Sequence, residues 1–129
     1  LRSNILYGND LEISDKEILQ TLKNFQLFDD EERYDLDLQI SNKSLSSGQM
    51  QKIAFVRALL SQADLLLLDE STANLDDRTR DQIFDILENQ KITIINSTHD
   101  PNMFKNVDLN YNIVFKDEKR QIEEYRISN

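Results

Sequence analysis

The chain has the length and composition of one folded domain, with 129 residues of which 39% are hydrophobic and 30% are charged. Its net charge of −9 disfavours binding to nucleic acid or to an anionic membrane surface, because both are polyanions that repel a negative chain. The absence of cysteine excludes a disulfide framework and a thiolate metal site, and the longest apolar run, Leu65 to Leu68, is far shorter than the about 20 residues of a membrane-spanning helix.

Two helices are predicted in the first half of the chain. Ser14 and Glu17 have the spacing of a capping box, so a helix is expected to begin one residue after Ser14. Its apolar residues then recur on one face: Ile18, Leu22 and Phe25. A second helix is predicted from Ser46 to Leu60, because Ser46 and Gln49 repeat the capping spacing and a broad apolar side follows.

A strand, a helix and a second strand are predicted next. The run Leu65 to Leu68 and the β-branched run Ile92 to Ile95 suit strands that are buried on both faces of a parallel sheet. The segment Asp77 to Asn89 has a helical pattern and supplies the crossover that parallel strands need. These elements predict a βαβ unit and therefore an α/β fold class.

A short helix and a hairpin are predicted in the last third of the chain. Asp100 and Pro101 can cap and open the helix. The segments Ile113 to Phe115 and Gln121 to Ile127 have strand character on either side of the turn Asp117 to Arg120.

Two carboxylates follow the first predicted strand, where open α/β sheets place their ligands. Asp69 could hold a divalent cation through water, and Glu70 could accept a proton from an attacking water. The alternative is a buried strand that ends in an ordinary acidic loop. His99, the only histidine, follows the second strand, so its N–H could stabilise a phosphoryl group there. The alternative for His99 is an ordinary structural residue.

A third candidate site lies at the start of the second helix. Gly48 stands just inside the predicted N-terminus, where free N–H groups and the helix dipole favour an anion and a bare backbone lets it approach. The alternative is a capped helix with a tolerated glycine.

The order of these motifs resembles that of an ATP-binding cassette (ABC) ATPase domain of the exporter type. Leu45 to Gln49 resembles the L-S-G-G-Q signature, with Ser47 replacing the first glycine. Leu65 to Glu70 resembles the Walker B strand with its catalytic glutamate, Ala73 to Asp76 is similar to the D-loop, and Ser97 to His99 looks like the H-switch.

Two further stretches extend the resemblance over nearly the whole chain. Arg2 to Gly8 resembles the I-R-E-N-I-L-Y-G stretch that follows the Q-loop in exporters, and Gln51 to Leu60 looks like the helix after the signature. The resemblance implies a partial P-loop NTPase fold. A helical subdomain would occupy residues of about 9–60, and the distal part of the parallel-sheet core would occupy residues 61–129.

The resemblance also implies a role for each matching residue in ATP hydrolysis. Asp69 would support Mg²⁺, Glu70 would polarise the hydrolytic water and His99 would contact the γ-phosphate. The signature residues would contact an ATP held by a second ABC ATPase domain in a head-to-tail dimer: Ser46, Ser47, Gly48 and Gln49. Asp76 would lie at the dimer seam. The expected partners are thus ATP, a second such domain and a transmembrane domain, at the cytoplasmic face of the cell membrane.

The chain departs from the family pattern in what it lacks. Neither Gly8 nor Gly48 is followed by Gly-Lys-Ser/Thr, so the 129 residues contain no phosphate loop. We therefore expect a C-terminal part of the domain that is inactive alone. Residues 39–44 also lack the G-E-x-G pattern common in exporters.

Two other functions fit parts of the pattern. The C-terminal lobe of a chromosome-maintenance or DNA-repair ATPase shares the motif order, but such lobes follow a long coiled coil and this sequence has no sustained heptads. A non-catalytic interaction module that retains the motifs as relics is the third possibility.

Overall fold

The computed structural model describes residues 1–41, 43–72, 75–99 and 106–125, and the chain divides into two units, Leu1–Ser97 and Thr98–Asn129. The first unit contains α1 (Arg2–Ile5), α2 (Asp15–Asn24), a 3-10 turn (Glu31–Arg33), α3 (Ser47–Leu60), β1 (Leu65–Asp69), α4 (Asp77–Glu88) and β2 (Thr93–Ser97). The second unit contains β3 (Asn110–Lys116) and β4 (Lys119–Tyr125).

Each of the three longer helices begins at a side chain that caps it. Ser14 Oγ accepts a hydrogen bond from Glu17 N at 3.2 Å, and Ser46 Oγ accepts one from Gln49 N at 3.1 Å. Asp76 caps α4 in the same way, because its carboxylate accepts from Thr79 N. These bonds satisfy backbone N–H groups that have no partner inside the helix. The two helix starts predicted from the capping spacing are confirmed.

The core of the first unit forms where the apolar faces of the helices meet. Ile18 and Leu22 of α2 are fully buried, as their spacing predicted. They join a cluster of buried side chains from α3, α4 and β1: Ile53, Phe55, Val56, Leu60, Leu68, Ile83 and Leu87. Truncating such a side chain to alanine typically costs about 2–5 kcal/mol, so this cluster holds the helix termini that carry polar residues in place.

The predicted βαβ unit is confirmed, although only one face of its sheet is covered. β1 and β2 pair in parallel, with Leu65 opposite Thr93 and Asp69 opposite Ser97, and α4 connects them. Alternate side chains point to opposite faces of a strand. Leu66, Leu68 and Ile94 join the core. On the other face the apolar residues are 47–68% exposed: Leu65, Leu67 and Ile95. The expectation of burial on both faces is therefore wrong for the described residues, whose helices pack against one face only.

The second unit contains the predicted hairpin. β3 and β4 pair in antiparallel fashion from Asn110 opposite Tyr125 to Lys116 opposite Lys119. The turn is tighter than predicted, because only Asp117 and Glu118 lie between the strands. Both have positive φ, 49° and 62°, which two-residue hairpin turns of type I′ require. The helix predicted at Asp100 and Pro101, and the strand end predicted at Ile127, lie outside the described residues.

Candidate functional site

The N-terminus of α3 presents a polar, exposed end of the helix. Ser46 and Ser47 are exposed, and Gly48 occupies the second helical position. Ser46 Oγ accepts from Gln49 N, and a hydroxyl that accepts one hydrogen bond can still donate its own hydrogen to a ligand. The helix dipole and the backbone N–H groups at this end favour an anion. All four predicted signature residues therefore lie together on one turn.

The segment that follows β1 packs beside this turn. A methyl group built on Gly48 would lie 3.9 Å from Leu75 Cδ2 and 4.0 Å from Ser46 Oγ. Leu75 N donates to Thr72 O at 3.0 Å, and the two residues between them in the sequence, Ala73 and Asn74, lie outside the described residues. The structure thus brings the predicted signature turn and the end of the predicted D-loop together within one chain.

The carboxylate of Asp76 is held in its charged form. Hydrogen bonds from the Thr79 amide and hydroxyl lower the pKa of the Asp76 carboxyl, and the positive charge of Lys52 on α3 adds to this lowering. Asp76 therefore carries a negative charge at the N-terminus of α4, where the helix dipole favours one.

Asp69 and Glu70 lie at the carboxyl end of β1, as predicted. Both side chains are exposed, and Glu70 N continues the parallel ladder by donating to Ser97 O at 3.0 Å. The backbone of Glu70 is left-handed, with φ of 46°, a conformation that costs a residue with a Cβ about 1–2 kcal/mol. Such strain clusters at functional sites because it fixes the direction of a side chain.

Asp69 also lines an open cleft between α3 and β1, with a volume of about 350 Å³. Two other lining residues, Gln51 and Ser71, carry buried oxygen atoms without a hydrogen-bond partner in the described structure. Buried oxygens are normally paired. The cleft therefore offers hard oxygen ligands next to an exposed carboxylate.

His99 follows β2 by two residues and belongs to the second unit. Its predicted approach to Asp69 and Glu70 therefore stays a prediction. Within the described residues, no group of three or more metal-binding side chains occurs. The predicted role of Asp69 in holding Mg²⁺ stays a prediction.

Two residues near the site were missed in the sequence. Lys52 lies one turn after Gln49 on α3, and its Nζ donates to Gln26 O at 2.9 Å. Arg80 of α4 is buried and pairs with Asp77 and Asp81. Both residues are visible in the sequence as cations on predicted helices, but the bond from Lys52 to Gln26 and the burial of Arg80 depend on how the helices pack.

The order of the motifs and the fold now agree with a comparison against protein families. A family model described as "ABC transporter" matches residues 2–73. The chain therefore belongs to the ABC transporter family. The predicted fold class, an α/β fold that is part of a P-loop ABC ATPase domain, is confirmed.

Individual relatives are transport proteins of greater length. The chain is 36% identical over 124 residues to the lactococcin-A transport/processing ATP-binding protein of Lactococcus lactis subsp. lactis, covering 93% of this chain and 17% of the relative. It is 37% identical over 103 residues to a glutathione/L-cysteine transport system ATP-binding/permease protein of Haemophilus influenzae, covering 77% of this chain and 17% of the relative.

A solved structure, a bacterial Atm1-family ABC exporter with ATP bound, is also similar. Its TM-score is 0.68 at 27% identity, and the match covers 83% of this chain and 20% of that chain. The chain thus spans about one fifth or less of these proteins. The transport relatives do not favour the chromosome-maintenance alternative.

Proposed function

We propose that this chain is the signature-bearing and Walker B-bearing part of an ATP-hydrolysing domain of an ABC exporter. The observation that carries the proposal is the contact between the start of α3 and the segment after β1. It places Gly48, at a helix start that favours an anion, beside Leu75, which follows the carboxylates of Asp69 and Glu70 in the sequence.

The roles of the residues follow from their chemistry. Glu70 would accept a proton from water as the water attacks the γ-phosphorus, and the bond to the leaving ADP oxygen would break. His99 would donate its N–H to the phosphoryl oxygens, where negative charge develops. Asp69 would hold Mg²⁺, which neutralises charge on the phosphates when it is bound.

The start of α3 would act on a second nucleotide. The Ser46 hydroxyl and the N–H groups around Ser47 and Gly48 would bind the γ-phosphate of ATP on a second ABC ATPase domain. Asp76 would lie at the seam of that head-to-tail dimer. ATP would then hold two domains together, and its hydrolysis would release them.

Tight binding of ATP would need residues beyond these, because the 129 residues contain no phosphate loop. None of the described helices is long and apolar enough to cross a bilayer. We propose that a transmembrane partner holds the domain at the cytoplasmic face of the membrane; the names of the relatives describe those proteins as transport proteins.

The test joins this chain to an N-terminal segment that bears a phosphate loop and measures Mg-ATP hydrolysis. Glu70→Gln should abolish hydrolysis, because an amide cannot accept the proton. Glu32→Gln is the matched control, since Glu32 is an exposed glutamate in the 3-10 turn. Hydrolysis that is absent from the joined protein would favour a non-catalytic module, and hydrolysis that survives Glu70→Gln would remove Glu70 from the mechanism.

A further inference from the structure

The C-terminal turn of α2, defined as residues 24–27, collects side chains from two other helices. Gln49 Nε2 donates to Leu27 O at 3.2 Å, and Lys52 Nζ donates to Gln26 O at 2.9 Å. From α4, Gln82 Nε2 donates to Asn24 O at 2.9 Å. Three carbonyls of one turn therefore each receive a side chain that lies more than 20 residues away along the chain.

The backbone explains why these carbonyls are available. Gln26 is left-handed, with φ of 47°, and Leu27 N donates back to Leu22 O, so the helix ends in a Schellman motif. That motif satisfies carbonyls inside the last turn and directs the later ones outward. The negative end of the helix dipole favours a cation, which Lys52 supplies.

Gln49 uses both ends of its carboxamide within the chain. Its Oε1 accepts from Ser46 N at 2.9 Å while its Nε2 donates to Leu27 O. Turning the side chain toward a bound nucleotide would break both bonds, each worth a factor of about 2–10 in equilibrium. The resemblance to the family had implied that Gln49 contacts the γ-phosphate.

We propose that Gln49 and Lys52 are positioning residues, which anchor the start of α3 to the C-terminal turn of α2 and so orient Ser46 and Gly48 toward the nucleotide. The proposal rests on the proposed function, because it assumes that this helix start binds phosphate. The positive charge of Lys52 also interacts with the carboxylate of Asp76 at the start of α4, and Gln82 of α4 donates a hydrogen bond to the same turn of α2. One turn of α2 thereby sets the relative orientation of both helix starts.

The first test needs no nucleotide and uses the 129-residue chain. Gln49→Ala should speed hydrogen exchange at the Ser46 amide by about 2- to 10-fold, because Gln49 Oε1 is its acceptor. Gln20→Ala is the matched control, since Gln20 is an exposed glutamine of α2 whose Nε2 donates to Asn24 Oδ1 in the same helix. An unchanged exchange rate at Ser46 in Gln49→Ala would overturn the proposal.

The second test measures association driven by Mg-ATP in the joined protein with Glu70→Gln, at a temperature where every variant is folded. Gln49→Ala and Lys52→Met should each weaken association by about 2- to 10-fold. The double variant should lose no more affinity than the single variant that has the larger loss. Lys52→Arg should associate like the parent protein, because arginine keeps a charged donor at this position. Lys23→Met, which removes a lysine that pairs with Glu31 on the surface, should have no effect.

The outcomes separate the two proposals. If the losses of affinity multiply in the double variant, Gln49 acts independently of Lys52, as a direct contact with nucleotide would. That outcome would overturn the positioning role and leave the proposed function standing. Normal association of a Ser46→Ala variant would instead refute the proposed function, because Ser46 carries the hydroxyl assigned to the phosphate.

Discussion

Replacing each of the two glycines by alanine should change stability in opposite directions. Gly48 lies inside α3 with a negative φ, whereas Gly8 follows α1 with φ of 75°. A Cβ on Gly48 would meet its nearest neighbours at 3.9 Å and 4.0 Å, which are ordinary van der Waals contacts. A Cβ on Gly8 would meet nothing within 4 Å, so any penalty there comes from the backbone alone.

The magnitudes follow from these two environments. Gly48→Ala should stabilise the chain by about 0.5–1 kcal/mol, because alanine loses less backbone entropy in a helix. Gly8→Ala should destabilise it by about 1–2 kcal/mol, because a Cβ disfavours the left-handed region. With an unfolding entropy of about 0.2 kcal/mol per kelvin for a unit of this size, the melting temperature should rise by about 2–5 °C and fall by about 5–10 °C, respectively.

Thermal unfolding of the 129-residue chain, followed by circular dichroism, measures both shifts. In the joined protein, the substitution that stabilises the fold should be the one that impairs association. Gly48→Ala should weaken association driven by Mg-ATP because its methyl group occupies the approach of the phosphate, whereas folded Gly8→Ala should associate normally. A lower melting temperature for Gly48→Ala would refute the packing argument. Normal association of that variant would show that no ligand needs the bare backbone at Gly48.

Substitutions at three further positions test other parts of the structure. Glu70→Gly should be about 1 kcal/mol more stable than Glu70→Ala in chemical denaturation, because both lose the side chain and only glycine relieves the positive φ; equal stability would argue against backbone strain. Arg80→Met should cost about 1 kcal/mol and Arg80→Ala about 2–3 kcal/mol, because methionine keeps the buried volume while both lose ion pairs to Asp77 and Asp81; equal losses would contradict this. The pKa of Asp76 is lowered in the folded chain. The charged carboxylate therefore adds to the free energy of unfolding above the unfolded pKa of about 4, and this stabilisation is lost as the pH falls through the folded pKa. Asp76→Asn, which still caps a helix, should lose less stability than the parent chain between pH 5 and pH 2 in pH-dependent unfolding, and parallel pH profiles would refute the assignment.

Local interactions determined most of what the sequence predicted. Capping at Ser14 and Ser46 acts between residues three apart, and the apolar spacing of Ile18 and Leu22 belongs to a single helix. Such features are readable because each depends on neighbours in the chain. The order of motifs likewise identified the family, since the residue types at the signature and Walker B positions are matched within short segments.

Tertiary structure alone decided the features that depend on distant residues. The bonds from Gln49 and Lys52 to the α2 turn, and the packing of Leu75 beside Gly48, join segments that lie more than 20 residues apart. The exposed face of β1 and β2 could not be predicted, because an apolar strand has the same sequence whether one face or both are covered. The left-handed backbone at Glu70 has no sequence signal either, since glutamate enters that region only when surrounding contacts hold it there.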